Sequence, residues 1–399
     1  VAAELREQAV ANRPQALAAL EDHVQGTLLA DDPVAESPDY LTKQLITCIG
    51  NKRALLGPIG IAVERVKARL GKSRLRCFDA FSGSGVVSRF LKAHASFLVS
   101  NDIEDYAAAT ARCYLRNRST VDLSAVSQIV ADLNNRVTSD LFSAGFIEEL
   151  YSPRDETHIT KDDRVFYTRD NARRLDNYRR LIESVPIDIR DLLIGPLLSE
   201  ASIHANTAGV FKGFYKNRDT QVGQFGGSGA DALVRIMGEI RMEPPVLSQF
   251  ECEYEVFQDD ANAAAHGLED LDLAYIDPPY NQHPYGANYF MLNLLERYER
   301  PIHISRVSGI PNDWQRSGYN KRARSFPLLR ELLHTIDARY LLVSFNDEGF
   351  ILPDKMRAML NEIGAVEILE TRYNAFRGSR NFNNRSIHVT EQLFLVERR

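Results

Sequence analysis

Arg76-Cys77-Phe78-Asp79-Ala80-Phe81-Ser82-Gly83-Ser84-Gly85 reads as a short apolar strand running into a glycine turn, and Val86 to Ala93 then carries a helical pattern. Glycines at 83 and 85 let the backbone pass close beneath a ligand, and the helix start offers unpaired N–H groups. The turn is not a phosphate loop, because it lacks the Gly-Lys-Ser/Thr ending. Nor is it a full dinucleotide fingerprint, since Ser88 stands where the third glycine belongs. The next strand pattern, Ser96 to Ser100, ends in Asn101-Asp102-Ile103-Glu104. An acidic residue about twenty positions after a glycine turn is where nucleoside-binding folds hold a ribose hydroxyl pair. Together the two features point to a nucleoside without a triphosphate, and S-adenosylmethionine fits that description.

Working outward, a second informative stretch lies at Tyr275-Ile276-Asp277-Pro278-Pro279-Tyr280. Residues 272 to 276 are short and apolar enough for a buried strand, which places Asp277 at its C-terminal end, where open α/β sheets bind ligands. The two prolines end the strand, since each lacks a donor N–H and has a fixed φ. A carboxylate and a proline-fixed carbonyl beside an aromatic ring can grip the exocyclic amino group of a flat base. The same letters also fit an ordinary strand-ending turn.

These blocks and their order resemble the alpha-class DNA adenine-N6 methyltransferases, from about Tyr40 to Arg399. Ile49-Gly50-Asn51-Lys52-Arg53 is similar to that family's leading segment, near the methionine end of the cofactor. Phe81 to Gly85 is similar to the cofactor glycine motif, Asn101-Asp102-Ile103 to the ribose segment, and Phe257-Gln258-Asp259-Asp260 to the segment beside the cofactor's adenine. Asp277 to Tyr280 is similar to the catalytic motif. The resemblance implies S-adenosylmethionine held by Asn51, Lys52, Asp79, Phe81, Ser82, Gly83, Gly85, Asp102, Ile103, Asp259, Asp260 and Asp277. It implies catalysis by Asp277, Pro278, Pro279 and Tyr280 on an adenine rotated out of duplex DNA. Asp at 277 favours adenine, because cytosine N4 enzymes usually carry Ser there and protein-glutamine methylases Asn. An RNA adenine methyltransferase and a catalytically silent DNA-binding subunit on the same fold stay open as alternatives, and a restriction endonuclease is an expected partner.

Composition agrees with this reading. A chain of 399 residues, 44% hydrophobic, has room for a sizeable core and a large insertion. The four cysteines, at 48, 77, 113 and 252, form no Cys-x-x-Cys pair, so neither a disulfide framework nor a metal site is expected. With no signal-peptide pattern and no apolar run of roughly 18 residues, a soluble cytoplasmic setting is expected. The net charge of −6 is awkward for a DNA binder, but association follows the local field. From Glu296 to Arg330, lysines and arginines at 297, 300, 306, 316, 321, 322, 324 and 330 face acids only at 296, 299 and 313. From Arg372 to Arg399, arginines at 372, 377, 380, 385, 398 and 399 face Glu391 and Glu397. Arg316, Lys321, Arg322, Arg324, Arg377, Arg380 and Arg385 are therefore candidate phosphate contacts.

The strand and helix alternation of residues 75 to 115 resumes at Phe250, with strand patterns at Glu253 to Gln258, Leu271 to Ile276, Tyr340 to Phe345, Val366 to Arg372 and Ile387 to Glu397. This predicts a doubly wound α/β fold, the seven-stranded, Rossmann-like methyltransferase sheet with an antiparallel last strand. Residues 1–39 form a helical N-terminal extension, and Thr42 to Leu70 reads as helix around Gly50-Asn51. Residues 40–115 and 250–399 form the catalytic domain. Residues 116–249, with helical patterns at Arg169 to Ser184 and Asp188 to Ala205, form an inserted, mostly helical target-recognition domain. Within it, His204, Asn206, Lys212, Tyr215 and Lys216 combine side chains that read bases and hold phosphate. Tyr285 and Tyr289, soon after the tetrad, are candidates for lining the base pocket, though core packing suits them equally.

Overall fold

In the computed structural model, residues 36–43, 45–46, 52–139, 144–226, 230–346, 349–374 and 388–399 are described. The helical extension expected over residues 1–39 lies largely outside the described residues, whose first elements are α1 (Pro38–Thr42) and, after a tight turn at Arg53–Leu55, α2 (Leu56–Leu70). The helix expected from Thr42 to Leu70 is thus split, and the described residues between these segments, including Leu45, Ile46 and Lys52, lie outside any helix. Then follow β1 (Leu75–Asp79), α3 (Val86–Lys92), β2 (Ala95–Asn101) and α4 (Asp105–Tyr114).

The segment 116–249 contributes α5 (Leu123–Ser139), α6 (Phe146–Tyr151), α7 (Arg169–Glu183), α8 (Ile187–Ile203) and α9 (Ala230–Met237). Alternation resumes with β3 (Glu253–Phe257), α10 (Ala261–Ala265), β4 (Leu271–Ile276), α11 (Tyr285–Asn288) and α12 (Phe290–Arg297). It closes with α13 (Arg322–Thr335), β5 (Ala338–Asn346), α14 (Pro353–Ile363), β6 (Gly364–Asn374) and β7 (His388–Arg398).

The strands form one seven-stranded sheet in the order β3-β2-β1-β4-β5-β7-β6. Neighbours from β3 to β5 are parallel, and β7 runs antiparallel to both β5 and β6. The order reverses between β1 and β4, which opens a crevice at the C-terminal strand ends. Register brings the chemistry there: Asp79 pairs with Ser100 on one side and Tyr275 on the other, and Asn101 pairs with Phe257. Asp79, Asp102, Asp259 and Asp277 therefore sit at or just beyond one sheet edge.

Strand periodicity sorts the core into two layers. Cys77, Leu98, Leu273, Tyr340, Leu342 and Leu395 face one cluster, and their neighbours Phe78, Val99, Ala274, Leu341, Val343 and Phe394 face the other. The first cluster continues without a break from α2 and α4 into α5, α7 and α8, through residues such as Leu133, Tyr178 and Leu197. Where α8 crosses α4, a Cβ at Gly195 would lie 2.6 Å from the Cys113 sulfur, so only glycine allows this approach. Among the described residues, no helix is long and apolar enough to cross a membrane.

Candidate active site

The glycine turn begins where β1 ends. Gly83 and Gly85 take left-handed φ of 51° and 73°, which suits glycine and swings the turn beneath the crevice before α3 starts. The Asp102 carboxylate holds the turn, accepting from the Gly83 N–H at 2.8 Å and the Glu104 N–H at 2.9 Å. Asn101 fastens three strand ends together. Its amide donates to the Ala80 carbonyl at 3.1 Å and the Asp259 carbonyl at 3.2 Å, and its side-chain oxygen accepts from the Asp259 N–H at 3.2 Å.

Over this edge lies an open cleft whose lining includes Lys52, Phe81, Ser82, Gly83, Asp102, Ile103, Asp259, Asp260, Asp277, Pro279 and Tyr285. Nine of the twelve candidate cofactor residues, spread over more than two hundred positions of sequence, thus share one cavity. Gly85 sits behind the turn as the cap of α3, and Asp79 lies buried under the floor, accepting from the Ser88 hydroxyl at 2.6 Å. Asn51, Arg377, Arg380 and Arg385 lie outside the described residues. The cleft has a further wall that sequence reading missed: Ser317, Tyr319 and Asn320, with Glu104 beside Asp102. Tyr319 is fixed by its hydroxyl on the Asn262 side-chain oxygen at 2.7 Å and by an edge contact with the Phe81 ring, centroids 5.1 Å apart.

The cleft is acidic. Burial, reinforced by Asp277 and Asp102 against the opposing Ser88 hydrogen bond, pushes the Asp79 carboxyl up to about 7. Burial and the neighbouring Asp102 push Glu104 up to about 8, and burial raises Asp102 itself. Such a site favours a cation. The Ser82 hydroxyl, in the cleft lining, has no hydrogen-bond partner among the described residues. A nucleoside that carries a sulfonium and an ammonium suits this combination of glycine cradle, acidic lining and free hydroxyl.

At the end of β4 the tetrad divides between two cavities. Asp277 and Pro279 line the cleft, while Pro278, Pro279 and Tyr280 line a small adjoining hollow with Tyr319, Phe345 and Phe350. Lys52 Nζ lies 3.1 Å from Asp277 Oδ1, with side chains only 4% and 16% exposed, and 5.7 Å from the centre of the Tyr280 ring. The Tyr280 ring meets Phe345 edge-on at 6.0 Å, and its carbonyl accepts from the Phe350 N–H at 2.9 Å. The Asn320 amide donates to the Asn281 carbonyl at 2.8 Å, tying the new wall to the loop that follows the tetrad.

The candidate DNA contacts fare unevenly. Arg316, Lys321, Arg322 and Arg324 are exposed next to the Ser317–Asn320 wall. In the insert, Lys212 is exposed, Tyr215 and Lys216 are half-buried with the Lys216 ammonium 5.1 Å over the Phe214 ring, and His204 Nε2 lies 3.3 Å from Glu200. The Phe211 N–H donates to the Asn288 carbonyl at 2.7 Å, so this loop is fastened behind the cleft wall. Asn206 must be corrected: it is fully buried, with its amide on the Val165 and Gln224 carbonyls at 2.7 and 2.9 Å and its oxygen on the Gly226 N–H at 2.9 Å. An amide spent on three backbone groups has nothing left for a base edge. Tyr289 is corrected likewise, since it is fully buried between Tyr285 and Tyr106, and only Tyr285 reaches the cleft.

Comparison with known proteins agrees with this geometry. Residues 49–359 match the model of the D12 class N6 adenine-specific DNA methyltransferases. The type II methyltransferase M.NlaIII of Neisseria lactamica is 25% identical over 359 residues, 88% of this chain and 98% of that protein. M.CviAII of Paramecium bursaria Chlorella virus 1 is 26% identical over 341 residues, 84% and 93% of the two chains. The modification methylase StsI of Streptococcus sanguinis is 25% identical over 88% of this chain, which spans 52% of its length.

Proposed function

Because this chain belongs to the D12 class N6 adenine-specific DNA methyltransferases, we propose that its cleft binds S-adenosylmethionine and that Asp277 and the Pro278 carbonyl present the amino group of an extruded adenine to it. The observation that carries this reading is the Lys52–Asp277 pair, 3.1 Å apart, at the point where the cleft meets the tetrad. S-adenosylmethionine, when bound, supplies the electrophilic methyl group. Gly83 and the Ser82 hydroxyl would hold its methionine end, Asp102 its ribose, and Asp259 its adenine.

The chain's own residues then do the positioning. An adenine amine is a poor nucleophile while its lone pair is delocalised into the ring. Asp277 Oδ and the Pro278 carbonyl, both acceptors, draw its two hydrogens out of that plane and leave the lone pair facing the cleft. Lys52 holds the Asp277 carboxylate in one orientation. Tyr280 offers its ring to the face of the base, and Tyr285 closes the far side. No covalent intermediate on the protein is needed, so most of the acceleration comes from bringing two bound reactants together. Target recognition is assigned to the loop from His204 to Lys216, with Lys212 reaching phosphate, and non-specific affinity to Arg316, Lys321, Arg322 and Arg324. A cognate endonuclease is the partner such a modification would guard against.

Incubating the protein with S-adenosylmethionine and duplex DNA, digesting the product and separating its nucleosides tests the reading. N6-methyladenine at a fixed short sequence is expected. N4-methylcytosine as the sole product, or transfer only to RNA, overturns it.

A further inference from the structure

Between α12 and the cleft wall the chain makes a hairpin that packs Ile310 against the core but leaves two apolar side chains exposed: Ile302 is 89% exposed and Val307 62%. This hairpin is firmly built. Ile304 bridges Pro311, the Ser305 N–H donates to the Ile310 carbonyl at 2.8 Å, and the Asn312 N–H donates to the His303 carbonyl at 3.0 Å. From outside, the Tyr151 hydroxyl donates to the Gly309 carbonyl at 2.8 Å and Arg164 donates to the Arg306 carbonyl at 3.1 Å. Gly309 takes a φ of 69°, and a Cβ there would lie 2.7 Å from the Tyr151 ring. Two large apolar groups are therefore held in water on a rigid support, where an isolated loop residue would be free to fold back.

Charge around the hairpin indicates what meets it. Arg297 and Arg300 are neutralised by Asp105 and Glu149, at 2.8 and 2.7 Å. Arg164, Arg306 and Arg316 have no carboxylate within ion-pairing distance among the described residues, and Arg316 stacks on Trp314 at 4.7 Å. Position supplies a third argument. The hairpin runs through Trp314 directly into Ser317–Asn320 of the cleft wall, and Gly286 of α11, which lines the groove beneath the hairpin, follows Tyr285, which lines the cleft. A Cβ at Gly286 would lie 2.5 Å from the Gln315 carbonyl and 3.1 Å from Glu104, which lines the cleft. Apolar tips among unneutralised arginines fit a polyanion with a stack of flat apolar rings inside it.

The geometry points to a duplex-engaging wedge: the 302–312 hairpin presses Ile302 and Val307 into the base stack beside the target adenine, with Arg306 and Arg316 on the flanking phosphates. Proteins that unstack a base step commonly insert aliphatic side chains, which offsets part of the cost of opening it. The inference rests on the adenine-methylation reading above. It assigns the opening of the duplex to a segment separate from the loop proposed to recognise the sequence.

The test uses the full chain and a duplex carrying the site it modifies, with 2-aminopurine at the target position, alongside Ile302→Ser/Val307→Ser and Arg306→Ala. All three positions are exposed or half-exposed, so folding is checked simply by thermal melting. The double variant is expected to lose most of the fluorescence rise that reports extrusion and about ten-fold in affinity for the matched duplex. Affinity should return to near the unmodified level when the target lies opposite an abasic site, where no opening is required. Arg306→Ala should lower the slope of log affinity on log salt by about one. Unchanged fluorescence overturns the wedge, and so does an equal loss on both duplexes, which would mark a plain contact or a protein-binding face. The parent chain's N6-methyladenine yield is measured in parallel, so that its absence counts against the functional reading and a difference between variant and parent against the wedge alone.

Discussion

Lys52 and Asp277, separated by more than two hundred residues, meet at 3.1 Å, and this contact ties the segment entering α2 to the end of β4. Both residues line the cleft, and Asp277 opens the tetrad whose other residues line the adjoining hollow, so on the proposed reading the pair would join cofactor positioning to substrate positioning. Asp277→Ala removes an acceptor for the amine and leaves the glycine turn intact. It should abolish transfer while calorimetric titration still shows cofactor binding. Lys52→Met, which keeps the stem and removes the charge, should lower kcat by about a hundred-fold through misalignment. Near-normal turnover in Asp277→Ala would reduce the tetrad to a structural turn.

Asp102 does two things, bracing Gly83 and facing the cleft. Asp102→Ala should weaken S-adenosylmethionine by about 1.5–3 kcal/mol, the range for hydrogen bonds to a charged group. Gly83→Val should weaken it further. No protein atom lies within 4 Å of a Cβ built there, so the harm would come from its φ of 51° and from the side chain entering the cofactor's space. Titration of both folded variants beside the parent decides the order.

Asp79 and Glu104 make the unliganded protein sensitive to pH. Their carboxyls are held at about 7 and about 8 in the fold, above the ordinary carboxylate range. The folded state therefore keeps protons that the unfolded chain has released, and stability declines as pH rises from the carboxylate range through about 7 to 8. Thermal melting from about pH 5 to about pH 8 should show a falling Tm, and Asp79→Asn, which keeps the Ser88 contact, should flatten it. A Tm that rises over this interval would contradict the assignment.

Neutralising Arg316, Lys321, Arg322 and Arg324 together should weaken binding to any duplex and flatten the dependence of log affinity on log salt. An unchanged slope would return these residues to an ordinary solvated surface.

Asn206→Ala should act on stability instead. Leaving buried backbone groups without partners costs roughly 1–3 kcal/mol, so chemical denaturation should show a clear loss while the sequence modified stays the same. A changed modification site in a fully stable variant would restore a reading role.

How much of this was legible depended on whether the signal was local. The sheet could be read because β1, its glycine turn and β4 with its prolines each announce themselves within ten residues. The antiparallel β7 was expected from the seven-stranded methyltransferase sheet that the closing pair of strand patterns fits. The Ser317–Asn320 wall could not be read, because Tyr319 reaches the cleft only through packing on Phe81 and the hydrogen bond to Asn262. Asn206 shows the other limit. An amide that reads a base and one that stitches a loop are the same letter, and burial alone tells them apart. Tyr285 and Tyr289, four residues apart, stack on each other, and the deeper Tyr289 ring lies against Tyr106 in the core while Tyr285 reaches the cleft.

The close crossing of α8 on α4 at Gly195 bears on how sequence specificity can change between related chains. With one hydrophobic layer continuous from the sheet's helices into α5, α7 and α8, exchanging residues 116–249 wholesale would replace a large part of that layer with side chains shaped for another partner. The loop from His204 to Gly226 does not escape this, because Phe211 and Phe214 are buried in the same layer and Asn206 is tied to the Val165 and Gln224 carbonyls. If that loop reads the target, as proposed, a new specificity would be reached by changing its exposed side chains, such as Lys212, in place.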